Sequence, residues 1–344
     1  MTPRENVGNL ACKPPYQVKL CNFDLEIKVK TFLSARFPDL VLLSEVFNND
    51  CGGVDFAKYV TRTGGIPLRV RSGSVCDSLE REHRLPLVHQ AQIDRILPEG
   101  KYLRRCSEAK PLQAGSTINK YGGYECIALK KGFLAFRDTS PYLEQRTPIC
   151  PTPVVTQSLS GQAVSPPAQG MDVGIYHAWV VAEGYSQSFV AATAHMVDPR
   201  YDTCREAEFI DFANWLKNNG RPPFILGGDM NTDPNKNLGN YGNKAVDEGA
   251  AAYLRYFYNT NESINARFDP TRLTGDKLGF TLDDTSQWSA YYYKFPFRVS
   301  LDHAVSNFAR SYFNTASACE RIRLAMIDLD HAALLCALNI QRIK

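Results

Sequence analysis

ILGGDMNTDP, Ile225 to Pro234, decides how the chain is read. A short apolar run meets two glycines, and an acid and an amide follow two residues apart, Asp229 and Asn231. The run Pro223–Leu226 predicts a buried strand, and the acid stands at its carboxyl end, where open α/β sheets present their ligand-binding residues. In an extended segment, side chains two apart share a face. On that reading Asp229 and Asn231 set an acceptor and a donor side by side. A plainer reading is equally available to the pair alone, an Asx-type turn before Pro234.

Working outward, other apolar segments also end on polar residues. LVLL, Leu40–Leu43, predicts a strand with Glu45 just past it. SFVAATAHM, Ser188–Met196, predicts another that ends near His195. VSLDHAVSN, Val299–Asn307, and LDHAALLCALNI, Leu329–Ile340, predict two more, each beside an Asp-His pair. Gly122–Phe136 predicts a strand and turn. Helical spacing joins Leu25, Val29, Phe32 and Leu33 before Pro38, and Phe209, Phe212, Ala213 and Leu216 before Asn218–Gly220. Ser158–Gly170 predicts a Ser/Gly/Pro loop, and Asn48–Tyr121 is less regular. Strands alternating with helices predict one α/β domain over residues 1–344, with its site at a sheet edge.

Composition sets bounds. The 344 residues are 44% hydrophobic, enough for a large core. A net charge of +3 argues against a nucleic-acid groove or a polybasic anchor. No apolar run is long enough to span a membrane. The opening MTPRENVGNL lacks a signal-peptide core, so the chain is either cytosolic or numbered from a processed form. Ten cysteines without a C-x-x-C pair argue against a zinc ribbon and favour an oxidising compartment over free buried thiols.

The residues gathered at strand ends are Glu45, His195, Asp229, Asn231, Asp302, Asp330 and His331, with Asn6 a further candidate. Their chemistry suits phosphoryl transfer. A hard cation such as Mg²⁺ takes one or two carboxylates and leaves room for water and phosphate, and Glu45 is the natural ligand. His331 can be a general base if Asp302 takes its other ring nitrogen. His195 can protonate or stabilise a leaving oxygen. Each has a bland alternative: a solvated glutamate, a core histidine, a capping aspartate. Their joint occurrence at successive strand ends favours the functional reading. His303 is read as structural; His83, His89 and His177 receive no role.

LLSEVFNN, TAHM, GGDMNTD, LDHAVSN and LDHAALL follow, in order, the signature of the endonuclease/exonuclease/phosphatase superfamily. More narrowly the chain resembles the bacterial-type neutral sphingomyelinases. SEVFNN is similar to that family's E-V-F-D-N, and GGDMN matches it letter for letter. GFTLDDTSQWSAYYYKFPF, Gly279–Phe297, resembles its T-x-D-x-T-x-x-x-x-A-x-Y-x-F-P stretch, which ordinary nucleases of the superfamily lack. GGYECIALKK sits where the family has G-G-V-A-I-V-S-K. The likeness spans Asn6 to about Leu338.

The resemblance implies a four-layer α/β sandwich, deoxyribonuclease-like, with two packed mixed sheets flanked by helices. It implies a secreted, monomeric, Mg²⁺-dependent phospholipase C that cleaves sphingomyelin at a membrane surface and binds no nucleic acid. Mn²⁺ or Co²⁺ could replace Mg²⁺. A nuclease or phosphatase of the same fold, or another head group, is the alternative. Carried over, Glu45 and Asn6 hold the metal. Asp229 and Asn231 hold phosphate and water, His195 aids the leaving group, and Asp302 supports the base. Asp330 and His331 fill the terminal S-D-H position, with Leu329 replacing the serine. Asn49 aligns with an edge-metal residue, but Asn119, Lys120 and Tyr121 stand where acids are expected. An insertion of about residues 50–121 would carry Cys51, Cys76 and Cys106. A cysteine pair in the family's matching places implies a Cys150–Cys204 disulfide. Trp288, Tyr291, Tyr292, Tyr293, Phe295 and Phe297 crowd one stretch that could meet lipid head groups.

Overall fold

The computed structural model describes residues 28–47, 93, 96–98, 100–107, 123–146, 156–157, 163–164, 174–184, 186–239, 245–258, 269–291, 298–312, 319–322 and 331–338. Strands β1 (Leu40–Phe47), β2 (Tyr102–Cys106) and β3 (Gly123–Lys130) form one sheet in the order β1-β3-β2, with antiparallel pairing throughout. The larger sheet contains β4 (Leu134–Phe136), β5 (Glu144–Arg146), β8 (Gly174–Ala182), β9 (Ser188–His195), β10 (Phe224–Asp229), β11 (Phe257–Tyr258), β12 (Gly279–Thr281) and β15 (Asp302–Ser306). It is mixed: β9 and β10 run parallel, and β8 and β15 flank them antiparallel. A short ladder, β6 (Thr156–Gln157) with β7 (Ala163–Val164), places strand within the expected Ser158–Gly170 loop. Two further ladders join β13 (Ala290–Tyr291) to β14 (Arg298–Val299), and β16 (Cys319–Ile322) to β17 (Ala333–Cys336).

The layers follow from side-chain alternation. Ile127 and Leu129 of β3 meet Ala191 of β9, Phe280 of β12 and Ala304 of β15 between the sheets. On the outer face of the small sheet, Val41, Leu43, Cys126 and Ala128 pack against Val29 and Leu33 of α1, residues 28–36. On the outer face of the large sheet, Val190, Ala192, Ala194, Leu226 and Val305 receive two helices, α2 (Asp202–Asn218) and α3 (Glu248–Tyr256). Phe209, Phe212, Ala213 and Leu216 are the buried face of α2, as their spacing predicts. Helix, sheet, sheet, helices: the four-layer sandwich is present. Strand β9 is covered on both sides, so it reads as a nearly continuous apolar run instead of an alternating one.

The double glycine has a steric cause. Gly228 sits at φ +138°, and a Cβ there would lie 2.2 Å from the Ala194 carbonyl oxygen and 2.8 Å from Ser44 Oγ. Only glycine lets β10 approach β9 and β1 so closely just before Asp229.

Three expectations change in detail. β1 runs on to Phe47, so Glu45 lies within the strand, where the register against β3 shifts between Leu43 and Val46. Val299–Asn307 is broken at Ser300–Leu301 into β14 and β15, which places Asp302 first in its strand. The stretch 50–121 contributes the edge strand β2 of the small sheet, which pairs along β3. Cys106 belongs to that strand and is bridged to Cys126 directly opposite. A second cross-strand bridge joins Cys319 and Cys336. Cys204 is disulfide-bonded, while Cys150 lies outside the described residues.

Candidate active site

His195, Asp229 and Asp302 form one transverse row. In the parallel register Asp229 pairs with His195, and in the antiparallel register it pairs with Asp302. Paired residues point to the same side of a sheet, so all three face the small sheet at one open end of the sandwich. The row lies on three central strands, not on an edge strand. Two inter-strand spacings separate its ends, about 10 Å.

His331 comes to the row from a distant segment. It bridges Ala290 of β13 just ahead of β17. Its Nδ1 lies 2.8 Å from Asp302 Oδ2, and its Nε2 lies 3.8 Å from Asp229 Oδ2. The short contact assigns the ring proton to Nδ1, donated to the carboxylate. Nε2 is then the lone-pair nitrogen, turned toward Asp229. Ser289 ties the two partners together. Its Oγ accepts from the backbone amides of Leu301 (2.8 Å) and Asp302 (2.9 Å), and its carbonyl accepts from the amide of Ala332 (2.7 Å).

Burial and neighbouring charge act on Asp229. Burial pushes its carboxyl up, His331 pulls it back, and the Asp302 carboxylate pushes it up again, to about 6. Asp229 Oδ1 also accepts from the Asn231 amide at 2.7 Å. Here the expected geometry is corrected. Asn231 stands at φ +47°, in the left-handed region, so the segment is not extended. The pair forms the Asx-type turn, and Asn231 Nδ2 donates to the Met196 carbonyl at 2.7 Å. That bond fixes Asn231 beside the end of β9 and leaves the second amide hydrogen for another acceptor.

His195 has an acidic partner that sequence reasoning missed. Its Nδ1 lies 3.9 Å from Oε1 of Glu125, a fully buried residue of β3. This is a charge contact and too long for a hydrogen bond. Thr193 Oγ1 lies 3.3 Å from both Glu125 Oε2 and the Leu43 carbonyl, and Ser44 Oγ donates to the Ala194 carbonyl at 2.7 Å. One signal could have found Glu125. It is in phase with Ile127 and Leu129, so GYECIALK places an acid on an inward apolar face.

Asp229, Asp302 and His331 offer ligand atoms that all lie within 4.8 Å of one another. Two neighbouring carboxylates, one pushed up by burial and by its neighbour, form a donor set suited to a hard cation. Glu45 is described only as a backbone position in β1. Asn6, Asn49, Asn119, Lys120, Tyr121 and Asp330 lie outside the described residues. So do Tyr292, Tyr293, Phe295 and Phe297, while the Arg298 guanidinium sits over the Trp288 ring. His303, one residue from Asp302, is fully buried against Asp283 and takes no part in the row. His177 is buried beside Trp215, with Glu144 Oε2 at 3.0 Å from its Nε2.

Behind His195, Glu208 of α2 accepts from the Val197 amide at 3.1 Å. Complete burial pushes its carboxyl from 4.5 to about 7, against the pull of that amide, His195 and Arg205. A carboxyl raised by folding contributes stability that is full below about pH 4.5 and lost as pH rises through about 7. The shift corresponds to about 3 kcal/mol. Glu208→Gln is therefore expected to match wild type near pH 4.5 and to be about 3 kcal/mol more stable at pH 8.5. Urea melts at both pH values check this; parallel pH slopes for the two proteins would refute it.

No protein-family model matches the chain, and no curated protein does. It is similar to several solved structures. A humanised D. rerio TDP2 is 12% identical over 91% of this chain and 90% of that one, with a TM-score of 0.46. The human Nocturnin catalytic domain with bound sulfate is 14% identical over 91% and 85%, with a TM-score of 0.43. An endonuclease/exonuclease/phosphatase from Bacteroides vulgatus is 13% identical over 90% of each chain, with a TM-score of 0.42.

Proposed function

We propose that this chain is a divalent-metal-dependent phosphodiesterase whose substrate is sphingomyelin, cleaved to ceramide and phosphocholine. The observation that carries the reaction class is the Asp302–His331 pair at 2.8 Å, turned toward Asp229 in a row that His195 closes. The lipid substrate rests on the resemblance of Gly279–Phe297. Bridged cysteines are consistent with an exported enzyme acting at a membrane surface.

His331 Nε2 takes a proton from water as the water oxygen attacks phosphorus. The new P–O bond forms as the bond to the ceramide oxygen breaks. Asp302 stabilises the imidazolium that results. His195, about 10 Å across the row from Asp302, delivers a proton to the departing oxygen. Glu125 Oε1 lies 3.9 Å from that ring on its inner side. Asn231 is placed to donate to a phosphoryl oxygen. By the resemblance, Glu45 and Asn6 would hold Mg²⁺. When bound, the cation neutralises charge on the phosphoryl group.

A nuclease would need a basic track at this end. Arg69 and Arg71 lie outside the described residues. Lys101, Lys130 and Lys131 sit at the opposite end of β3 from Glu125, about 16 Å along the strand. Arg105 is engaged by Asp138 and by the Phe136 ring.

The deciding experiment is a hydrolysis panel of sphingomyelin, phosphatidylcholine, single- and double-stranded DNA and bis-p-nitrophenyl phosphate, with Mg²⁺ and with chelator. Release of phosphocholine from sphingomyelin is expected, lost with chelator and restored by Mg²⁺. Glu45→Ala is expected to raise the Mg²⁺ concentration needed. Faster cleavage of DNA would replace the lipid reading, and no cleavage of any diester would end the enzymatic one.

A further inference from the structure

His331 reaches Asp302 from a hairpin whose Cys319 sits in the core between the sheets, with Leu334 and Cys336 packed against it. β16 and β17 pair over only four positions, and β17 is half-buried along its length. A two-stranded ladder of that size is marginal by itself. Beyond that packing, two features tie it to the site. The Cys319–Cys336 disulfide joins the outermost pair of the ladder, across a sequence separation of 17, and closes a segment that includes His331. Arg321, on the same ladder and 2% exposed, reaches into the site with one nitrogen. Its Nη2 lies 2.7 Å from Asp283 Oδ2, 2.7 Å from Ser300 Oγ and 3.4 Å from the Asp302 carbonyl oxygen.

These contacts bear on both halves of the base. The bridge restrains the strand that follows His331. Arg321 touches the backbone of Asp302, the residue that accepts from His331. We propose that the β16–β17 hairpin, clasped by Cys319–Cys336 and pinned by Arg321, is a redox-dependent holder that keeps His331 on Asp302. Arg321 is a positioning residue, since its contacts are with Asp283, Ser300 and the Asp302 backbone. A dithiol would release the holder. It gives two electrons and two protons to the bridge, leaves two cysteine thiols, and becomes a disulfide itself. Cys319 is buried and Cys336 half-buried, so Cys336 is the sulfur more open to attack.

The consequence for catalysis rests on the reading of His331 as the base, but the geometry has its own readout. An imidazole Nδ1–H donated to a carboxylate gives a proton resonance far downfield, whether or not the chain hydrolyses anything. The test uses the full chain with Cys319→Ser/Cys336→Ser, Arg321→Gln and Arg321→Lys. The first two are expected to lose the His331 resonance and to lower kcat on sphingomyelin tenfold or more, with KM within twofold. Arg321→Lys, which keeps a donor, is expected to recover part of both. Folded variants that keep resonance and kcat would overturn the proposal. If the variants do not fold, wild type is titrated with dithiothreitol where its circular dichroism is unchanged. Loss of the resonance on reduction and return on reoxidation supports the holder; a resonance indifferent to reduction overturns it. Loss of the resonance in a chain that cleaves no diester would leave the holder standing and remove the enzymatic reading.

Discussion

His331→Ala is expected to lower kcat by roughly a thousand-fold or more, while KM and the melting temperature stay near wild type. A base acts as the nucleophile forms, so its loss falls on the chemical step. The ring is not part of a core cluster. Its 24% exposed side chain meets Asp302 on one nitrogen and faces Asp229 with the other. Alanine removes proton transfer from a side chain that stands partly exposed at the open end of the sandwich. Steady-state rates on sphingomyelin with saturating Mg²⁺ provide the measurement. Turnover within tenfold of wild type would sink the proposed mechanism.

His303→Ala is expected to do the reverse: a loss of about 3–5 kcal/mol in stability, with kcat per folded molecule changed only a few-fold. His303 and Asp283 are fully buried, with Nδ1 and Oδ2 3.0 Å apart. His303 Nε2 faces the Thr232 carbonyl at 2.9 Å and the Ser300 carbonyl at 3.0 Å. Burial by itself would push the ring down, but the Asp283 carboxylate outweighs it and holds the ring above its ordinary value. Burial likewise pushes Asp283 up, yet His303, Arg321 and the Ala304 amide outweigh it and hold the carboxyl below the usual range. Removing the ring leaves a buried carboxylate short of one partner. Urea denaturation, together with active-site-normalised kcat, separates the two histidines. A collapse of kcat with stability intact would exchange their roles.

The two Asp-His pairs look alike in sequence, LDHAVSN and LDHAALL, and the fold uses them differently. In β15, Asp302 faces the row and His303, one residue on, faces away into the core, because neighbours on a strand point to opposite sides. Adjacent residues on one strand could not both serve the site. The aspartate that supports the base and the histidine that acts as base therefore come from different segments, 29 residues apart.

Local pattern along the chain already carries part of this architecture. Strands β9, β10 and β15, helix α2, and the recurrence of His195, Asp229, Asp302 and His331 beside strand ends were legible because apolar runs flanked by polar residues are local signals, whereas the need for glycine before Asp229 came from the approach of β9 and β1. Tertiary structure decided what depends on contact between distant segments. Asn231 was placed by its bond to Met196, which turned an expected extended pair into a left-handed turn. Glu125 became the partner of His195 only because two sheets pack face to face, bringing together residues 70 positions apart. Ser289 and Arg321 acquired their roles from loop and hairpin ends that meet at Asp302. Hydrophobic periodicity tells which side of an element turns inward; it carries no information on which polar atoms of other elements wait there.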